Sequence, residues 1–168
     1  RTLRFASVVA FPPRGAAAQT PGSASDALVA PPTSGWPTNG GNWYNQRYSP
    51  LTEITRANVA GLKGVWRARL DGSGVEPKYS GEAQPIVHDG VLYIVTGADD
   101  VFALDVETGA RLWTYRANLE QTIDTVCCGW SSRGVALSAG KIYGGQLAGK
   151  LVALDPRTGA GAWAPAAE

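Results

Sequence analysis

Apolar and polar positions in this chain change places over short runs bounded by turn residues, with little sign of a helical period. Pro85-Ile86-Val87-His88-Asp89 reads as a strand, Asp89-Gly90 as a hairpin turn that needs positive φ, and Val91 to Thr96 as the returning strand. Val101 to Asp105 alternates apolar and small residues, Glu107-Thr108-Gly109 supplies a further turn, and a last strand runs through Leu112-Trp113. One short helix is predicted over Thr52 to Leu62, with Thr55 as its N-cap and Gly61 or Gly64 as its stop.

The same order of elements then returns. Gly90-Val91-Leu92-Tyr93 recurs as Gly140-Lys141-Ile142-Tyr143, and Ala103-Leu104-Asp105-x-x-Thr108-Gly109-x-x-x-Trp113 recurs as Ala153-Leu154-Asp155-x-x-Thr158-Gly159-x-x-x-Trp163, always 50 residues apart. A constant period of this length with strand-like segments in each copy marks propeller blades, not helical solenoids. The expected fold is therefore all-β: β-propeller blades of four-stranded antiparallel sheets with Trp-docking repeats. Trp113 and Trp163 are expected to lie flat between neighbouring blades, where Ala103 and Ala153 leave room for them. Trp66, in Gly64-Val65-Trp66-Arg67-Ala68-Arg69-Leu70, resembles the last strand of an earlier, incomplete copy and could complete the terminal blade of a closed ring.

Composition agrees with short strands and tight turns: 21 glycines, 11 prolines and six tryptophans in 168 residues. Fifteen Lys and Arg against 14 Asp and Glu leave a net charge of +1 and no basic stripe, so no nucleic-acid partner is expected. Residues 1–34 differ from the rest. Arg1 and Arg4, the apolar run Phe5 to Phe11 and Ala16-Ala17-Ala18-Gln19 read as a signal-like leader, or alternatively as an Ala/Pro/Ser-rich disordered one. Residues 35–168 hold the propeller segment, and the absence of an initiating Met together with an end just after a repeat signature reads as a fragment or a truncated product.

The chemistry-bearing residues are few. Cys127 and Cys128 are the only cysteines, and adjacent thiols cannot form a spaced metal clamp. In an oxidising compartment they could close a vicinal disulfide, a strained flat plate able to support a planar ligand; otherwise they are ordinary buried thiols. Glu82 immediately precedes a strand expected near the propeller axis, where a carboxylate orients a polar ligand or is simply solvated. Arg133 stands at the entrance to the next copy, and its planar fork suits a carboxylate or a polyanion, or water. His88, the sole histidine, sits beside the Asp89-Gly90 turn with nothing around it that makes a catalytic constellation. Nucleophile-elbow, phosphate-loop, zinc-protease and dinucleotide glycine signatures are all missing, which leaves hydrolytic and nucleotide-dependent chemistry without support.

Taken together, residues 35–163 resemble the alcohol dehydrogenases that depend on pyrroloquinoline quinone (PQQ), the quinoprotein family that includes methanol dehydrogenase. The resemblance rests on Trp36 to Ile54 followed by Asn58-Val59-Ala60-Gly61-Leu62, on Gly81 to Tyr93, and above all on Cys127-Cys128-Gly129-Trp130-Ser131-Ser132-Arg133-Gly134 inside a Trp-marked repeat. It implies that Cys127 and Cys128 form a vicinal disulfide stacked on one face of PQQ, and that Glu82 and Arg133 hydrogen-bond the cofactor in its plane. It also implies a periplasmic enzyme that oxidises alcohols or sugars with calcium or a lanthanide and passes electrons to cytochrome c or a membrane quinone. Roughly two of eight blades would be present. The metal ligands and the catalytic aspartate are expected beyond Glu168, so the fragment alone is expected to be inactive. Where members of the family often carry an acidic residue after the two cysteines and Asn before the Arg, this chain has Gly129 and Ser132. Two alternatives from other classes are a non-enzymatic propeller scaffold of the outer-membrane assembly type and a degenerate truncated product.

Overall fold

A computed structural model describes residues 26–71, 79–120, 122 and 129–163. Their strands are β1 Tyr79–Ser80, β2 Ile86–His88, β3 Val91–Val95, β4 Val101–Asp105, β5 Arg111–Tyr115, β6 Trp130–Ser131, β7 Ala136–Ser138, β8 Lys141–Gln146, β9 Lys150–Leu154 and β10 Gly161–Trp163. They form two four-stranded antiparallel sheets in simple sequential order, β2-β3-β4-β5 and β7-β8-β9-β10, and one short parallel pair, β1-β6. Two blades of the expected kind are thus present. The signal-like stretch as far as residue 25 lies outside the described residues, as do Cys127 and Cys128. No helix among the described residues is long and apolar enough to cross a membrane.

Each blade is built by the same local chemistry. Asp89 and Gly90 both take positive φ, as do Ala139 and Gly140, the backbone that a two-residue hairpin turn with the right twist demands. At the next turn the Asp-x-x-Thr-Gly signature folds onto itself. Asp105 Oδ1 accepts the backbone N–H groups of Glu107 and Thr108 and the Thr108 hydroxyl at 2.7–3.1 Å, and Thr108 Oγ1 accepts from Ala110 N. Asp155 does the same with Arg157, Thr158 and Ala160. The bond from Arg157 N, followed by those from the Thr158 side chain and backbone, holds the Asp155 carboxyl below its ordinary value.

The blades meet through an apolar layer. Ile86, Tyr93, Val95, Val101 and Ala103 of the first blade pack with Ile142, Val152 and Leu154 of the second, all buried. Trp113 closes this layer at one end, paired across β4–β5 with Ala103, as the small residue there leads one to expect. Its Nε1 donates to Pro156 O at 2.9 Å, and Tyr93, whose ring centroid lies 5.9 Å away, donates its hydroxyl to the same carbonyl at 3.1 Å. The ring covers Gly159: a Cβ there would come within 2.5 Å of the indole, and φ is +71°. One repeat earlier the arrangement recurs. Trp66 Nε1 donates to Val106 O at 3.0 Å, and its ring lies on Gly109 with the same 2.5 Å limit. Trp66 therefore docks on the first blade as Trp113 docks on the second, although residues 62–70 adopt no strand pairing. The side chain of Trp163 lies outside the description.

Before the first blade, the helix α1, Asp26–Val29, buries Leu28, whose carbonyl accepts from Trp43 N at 2.8 Å. Trp36 forms a two-bond antiparallel bridge with Val87 on the free edge of β2. The helix expected over Thr52 to Leu62 is reduced to a 3₁₀ turn, Val59–Gly61. Thr55 does not cap it. Asn58 stands at the N-cap position without a side-chain cap bond, its amide turned back to accept from Thr55 N and donate to Glu53 O, both at 2.7 Å. Ile54, Val59 and Leu62 are exposed, so no buried stripe exists to repay the ordering of a longer helix. Further on, Asp71 receives Arg111 at 3.1 Å and Arg116 at 3.5 Å, which fastens the Trp66-bearing segment along the first blade.

If indole docking sets the blade spacing, Gly159→Ala destabilises the chain by about 1–3 kcal/mol more than Gly140→Ala. Both positions have positive φ, but only Gly159 lies beneath a ring, whereas a Cβ at Gly140 meets nothing within 4 Å. Urea denaturation of the two variants checks this, and equal losses would refute ring contact as the cause.

Candidate functional site

Antiparallel sheets place successive turns at alternate ends of a blade. The residues leading into β2, the β3–β4 turn, the residues leading into β7 and the β8–β9 turn share one end; the Trp-docking turns occupy the other. Glu82 and Arg133 are both at the first end. They are brought together by a parallel ladder between successive repeats: Tyr79 pairs with Trp130 and Ser80 with Ser131, and beyond them Gln84 bridges Gly134, with Gln84 N donating to Arg133 O at 3.3 Å. Between those anchor points lie three residues on the first strand, 81–83, and two on the second, 132–133. In that irregular gap Arg133 Nη1 reaches Glu82 Oε2 at 3.1 Å.

The pair is a solvent-facing one, with the Arg133 side chain 85% and the Glu82 side chain 47% exposed. Its neighbours are not: Trp130 and Ser132 are buried, so the chain is held firmly below an exposed guanidinium fork. Gly134 adopts φ +140°, and a Cβ there would press to 3.3 Å on Gln84 O, so the close approach of the two repeats depends on glycine. Ser131 to Gly134 form one wall of an open groove of about 560 Å³, within the roughly 300–1,000 Å³ of small-ligand clefts. The facing wall is the β8–β9 hairpin, including Gln146, Leu147 and Lys150, with Asp99 of the first blade at the junction.

Two of the four site residues expected from sequence thus meet, and the other two, Cys127 and Cys128, lie outside the described residues. His88 is at the opposite end, 3.4 Å from Asp89, remote in the fold from Glu82 and Arg133. Among the described residues no three His, Cys, Asp or Glu side chains group to hold a metal ion. Sequence reasoning missed Asp99, which is buried, accepts the Leu147 N–H at 2.7 Å and is raised by burial to about 6. The signal was available: Asp99 occupies the place that Gly149 takes one period later.

Comparison with known proteins bears on this end of the molecule. The family model described as "PQQ: Glucose/ethanol/alcohol dehydrogenase, beta-propeller domain" matches residues 36–165. The 1-butanol dehydrogenase (cytochrome c) of Thauera butanivorans is 44% identical over 130 residues, 76% of this chain and 18% of that protein. The quinohemoprotein alcohol dehydrogenase of Comamonas testosteroni is 40% identical over 133 residues, again 18% of its length. The crystal structure of the Comamonas protein superposes with a TM-score of 0.71 at 35% identity, covering 83% of this chain and 20% of the other. A europium-containing methanol dehydrogenase gives 0.68 at 29% identity, covering 80% of this chain and 23% of the other. The chain therefore spans about a fifth of the length of the relatives it matches.

Exposed ion pairs contribute little to folding, because water screens them and holding two long side chains costs entropy. Arg133→Ala and Glu82→Gln are each expected to leave unfolding free energy within about 0.5 kcal/mol of the parent in urea titrations. A larger loss would make the pair part of the scaffold.

Proposed function

This chain belongs to the β-propeller family of PQQ glucose, ethanol and alcohol dehydrogenases, and from that premise we propose that it forms one wall of the PQQ seat in a periplasmic dehydrogenase acting on alcohols or sugars. The observation that carries the reading is the 3.1 Å meeting of Glu82 with Arg133 between two successive blades, beside a groove of ligand size. PQQ is planar and carries carboxylates around its rim. An exposed guanidinium fork on buried backbone is the donor that such a rim requires, and Glu82 offers an acceptor to any N–H or protonated group beside it. The residues present fit the cofactor.

Arg133 would bind a rim carboxylate and Glu82 would fix the orientation of the ring system, while Cys127 and Cys128, joined as a vicinal disulfide, would support one face. When bound, PQQ supplies the two-electron acceptor that takes an alcohol to its carbonyl product. On this reading the calcium or lanthanide ion, the aspartate base and the exit of electrons to cytochrome c or a membrane quinone correspond to parts of full-length relatives that this chain does not match. The names of the relatives, one linked to cytochrome c and others to quinone, support acceptors of those kinds. The chain's own contribution is binding and orientation, so the isolated 168 residues should show no dye reduction with PQQ, calcium and a primary alcohol above a Glu82→Ala control.

Titration of the chain with PQQ, followed by tryptophan fluorescence, tests the seat. Saturable binding is expected, weakened about tenfold in Arg133→Ala, the scale of one charge-assisted bond. Binding that ignores both Arg133→Ala and Glu82→Ala would overturn the proposal. Independently, mass spectrometry after alkylation of protein exported to an oxidising compartment should find Cys127 and Cys128 unmodified until a reductant is added; two freely alkylated thiols would remove the disulfide.

A further inference from the structure

The turn between β3 and β4 carries two adjacent aspartates in different circumstances. Asp100 is fully engaged, with Oδ2 2.6 Å from Arg116 Nη1 and Oδ1 accepting from Ala117 N at 2.9 Å. Asp99 is 3% exposed and has no cation at ion-pair distance among the described residues. Its Oδ2 instead accepts the Leu147 N–H at 2.7 Å, so the bond crosses from the first blade to the β8–β9 turn of the second. Its backbone is held at φ +58° by an environment in which the next repeat uses Gly149 at φ +70°. A buried carboxylate in a left-handed position is an expensive way to make a turn that glycine makes freely.

That cost falls beside Glu82 and Arg133. The β7–β8 pairing ends at Ala136 with Tyr143, and just beyond it Arg133 and Gly134 border the same groove as Gly145 and Gln146. Asp99, Arg133, Gln146 and Leu147 line one groove. A second side-chain bond ties this turn to the first blade, with Gln146 Nε2 donating to Tyr115 Oη at 3.2 Å. Among the described residues, the charged groups that share this turn or groove with Asp99 are Asp100 on its own turn, Arg133 before β7 and Lys150 at the start of β9, while Arg116 is taken by Asp100.

We propose that Asp99 is a positioning residue for the Glu82–Arg133 pair: its buried carboxyl locks the second blade's β8–β9 turn onto the first blade, and loss of the proton from that carboxyl as pH rises loosens the lock. The ionised form is the better acceptor for Leu147 N–H. Burial first, then the neighbouring Asp100, raise Asp99 to about 6 from an ordinary 3.8, while the Leu147 bond works in the other direction. The folded chain thus keeps the proton to higher pH than the unfolded chain. Opening the turn to water would return Asp99 toward its ordinary value, so the lock is complete below about 3.8 and weakens as pH rises through about 6. Relevance to PQQ rests on the function proposed above; the lock itself does not.

The test is ¹H–¹⁵N NMR of the chain from about pH 5 to 8, a range in which ordinary carboxylates stay ionised. A His88→Gln background removes the sole histidine. The Leu147 amide is expected to shift in one step centred near 6, with its protection factor falling about tenfold on the alkaline side of that step, and the Arg133 backbone amide is expected to move with the same midpoint. In Asp99→Asn, which tolerates the left-handed backbone, both signals should be flat. Asp99→Gly, which fits that backbone outright, should lose Leu147 protection at every pH. A flat Leu147 amide in the parent, or an unchanged step in Asp99→Asn, overturns the lock, and a step at Leu147 that Arg133 does not share overturns the positioning role. No cofactor is added, so failure here leaves the PQQ seat standing, and failure of PQQ binding leaves the lock standing.

Discussion

An indole laid on the turn glycine of the next repeat is the contact on which the rest of the structure depends. A four-stranded sheet of this size cannot bury its own faces, so each blade is stable only against a neighbour. Trp113 reaches that neighbour with a large apolar surface, and its single N–H is satisfied by the Pro156 carbonyl. The partner turn accepts the ring because Gly159 has no Cβ and the Asp155–Thr158 bonds hold the backbone flat beneath it. Trp66 on Gly109 shows that the contact is a property of the repeat and not of one pair of blades.

With the blades spaced at one end by the indole, the other end becomes a place where successive repeats converge. The parallel pairing of β1 with β6, and of Gln84 with Gly134, is short and irregular, and the irregularity sets Glu82 and Arg133 face to face. A regular ladder would have carried the two chains past each other with their polar backbone fully used. The charged pair adds little to stability, and it leaves the Arg133 guanidinium exposed on the wall of an open groove, where such a fork suits a carboxylate.

Polar bonds between the blades divide in the same way. At the docking end, Tyr93 and Trp113 share one carbonyl of the next blade, a neutral arrangement indifferent to pH. At the site end, Asp99 and Gln146 make the crossing bonds, and one of them is a buried carboxylate. The rigid contact and the titratable one therefore sit at opposite ends of the same interface, with the candidate cofactor groups beside the titratable one.

Much of this was readable in the linear sequence. The 50-residue period, the Asp89-Gly90 turn, the Asp-x-x-Thr-Gly motif and the recurring Trp determined the blades and their antiparallel order, because each acts through neighbours only a few residues away or through its own repetition. Glu82 and Arg133 were identified singly, by their places at the entrances to successive copies, and given a cofactor role by resemblance. Their contact was beyond the sequence, since it depends on a parallel pairing across about 50 residues with one residue more on one side than on the other. The helix expected from Thr52 to Leu62 failed because local caps and stops suggest a helix, while only burial against a partner sustains one, and those side chains face solvent. Asp99 drew no expectation from sequence; the approach of Leu147 from the second blade is what makes it a buried acceptor. Local bonding was written in the chain, and the distances between repeats, which fix burial and hence charge, were settled by packing.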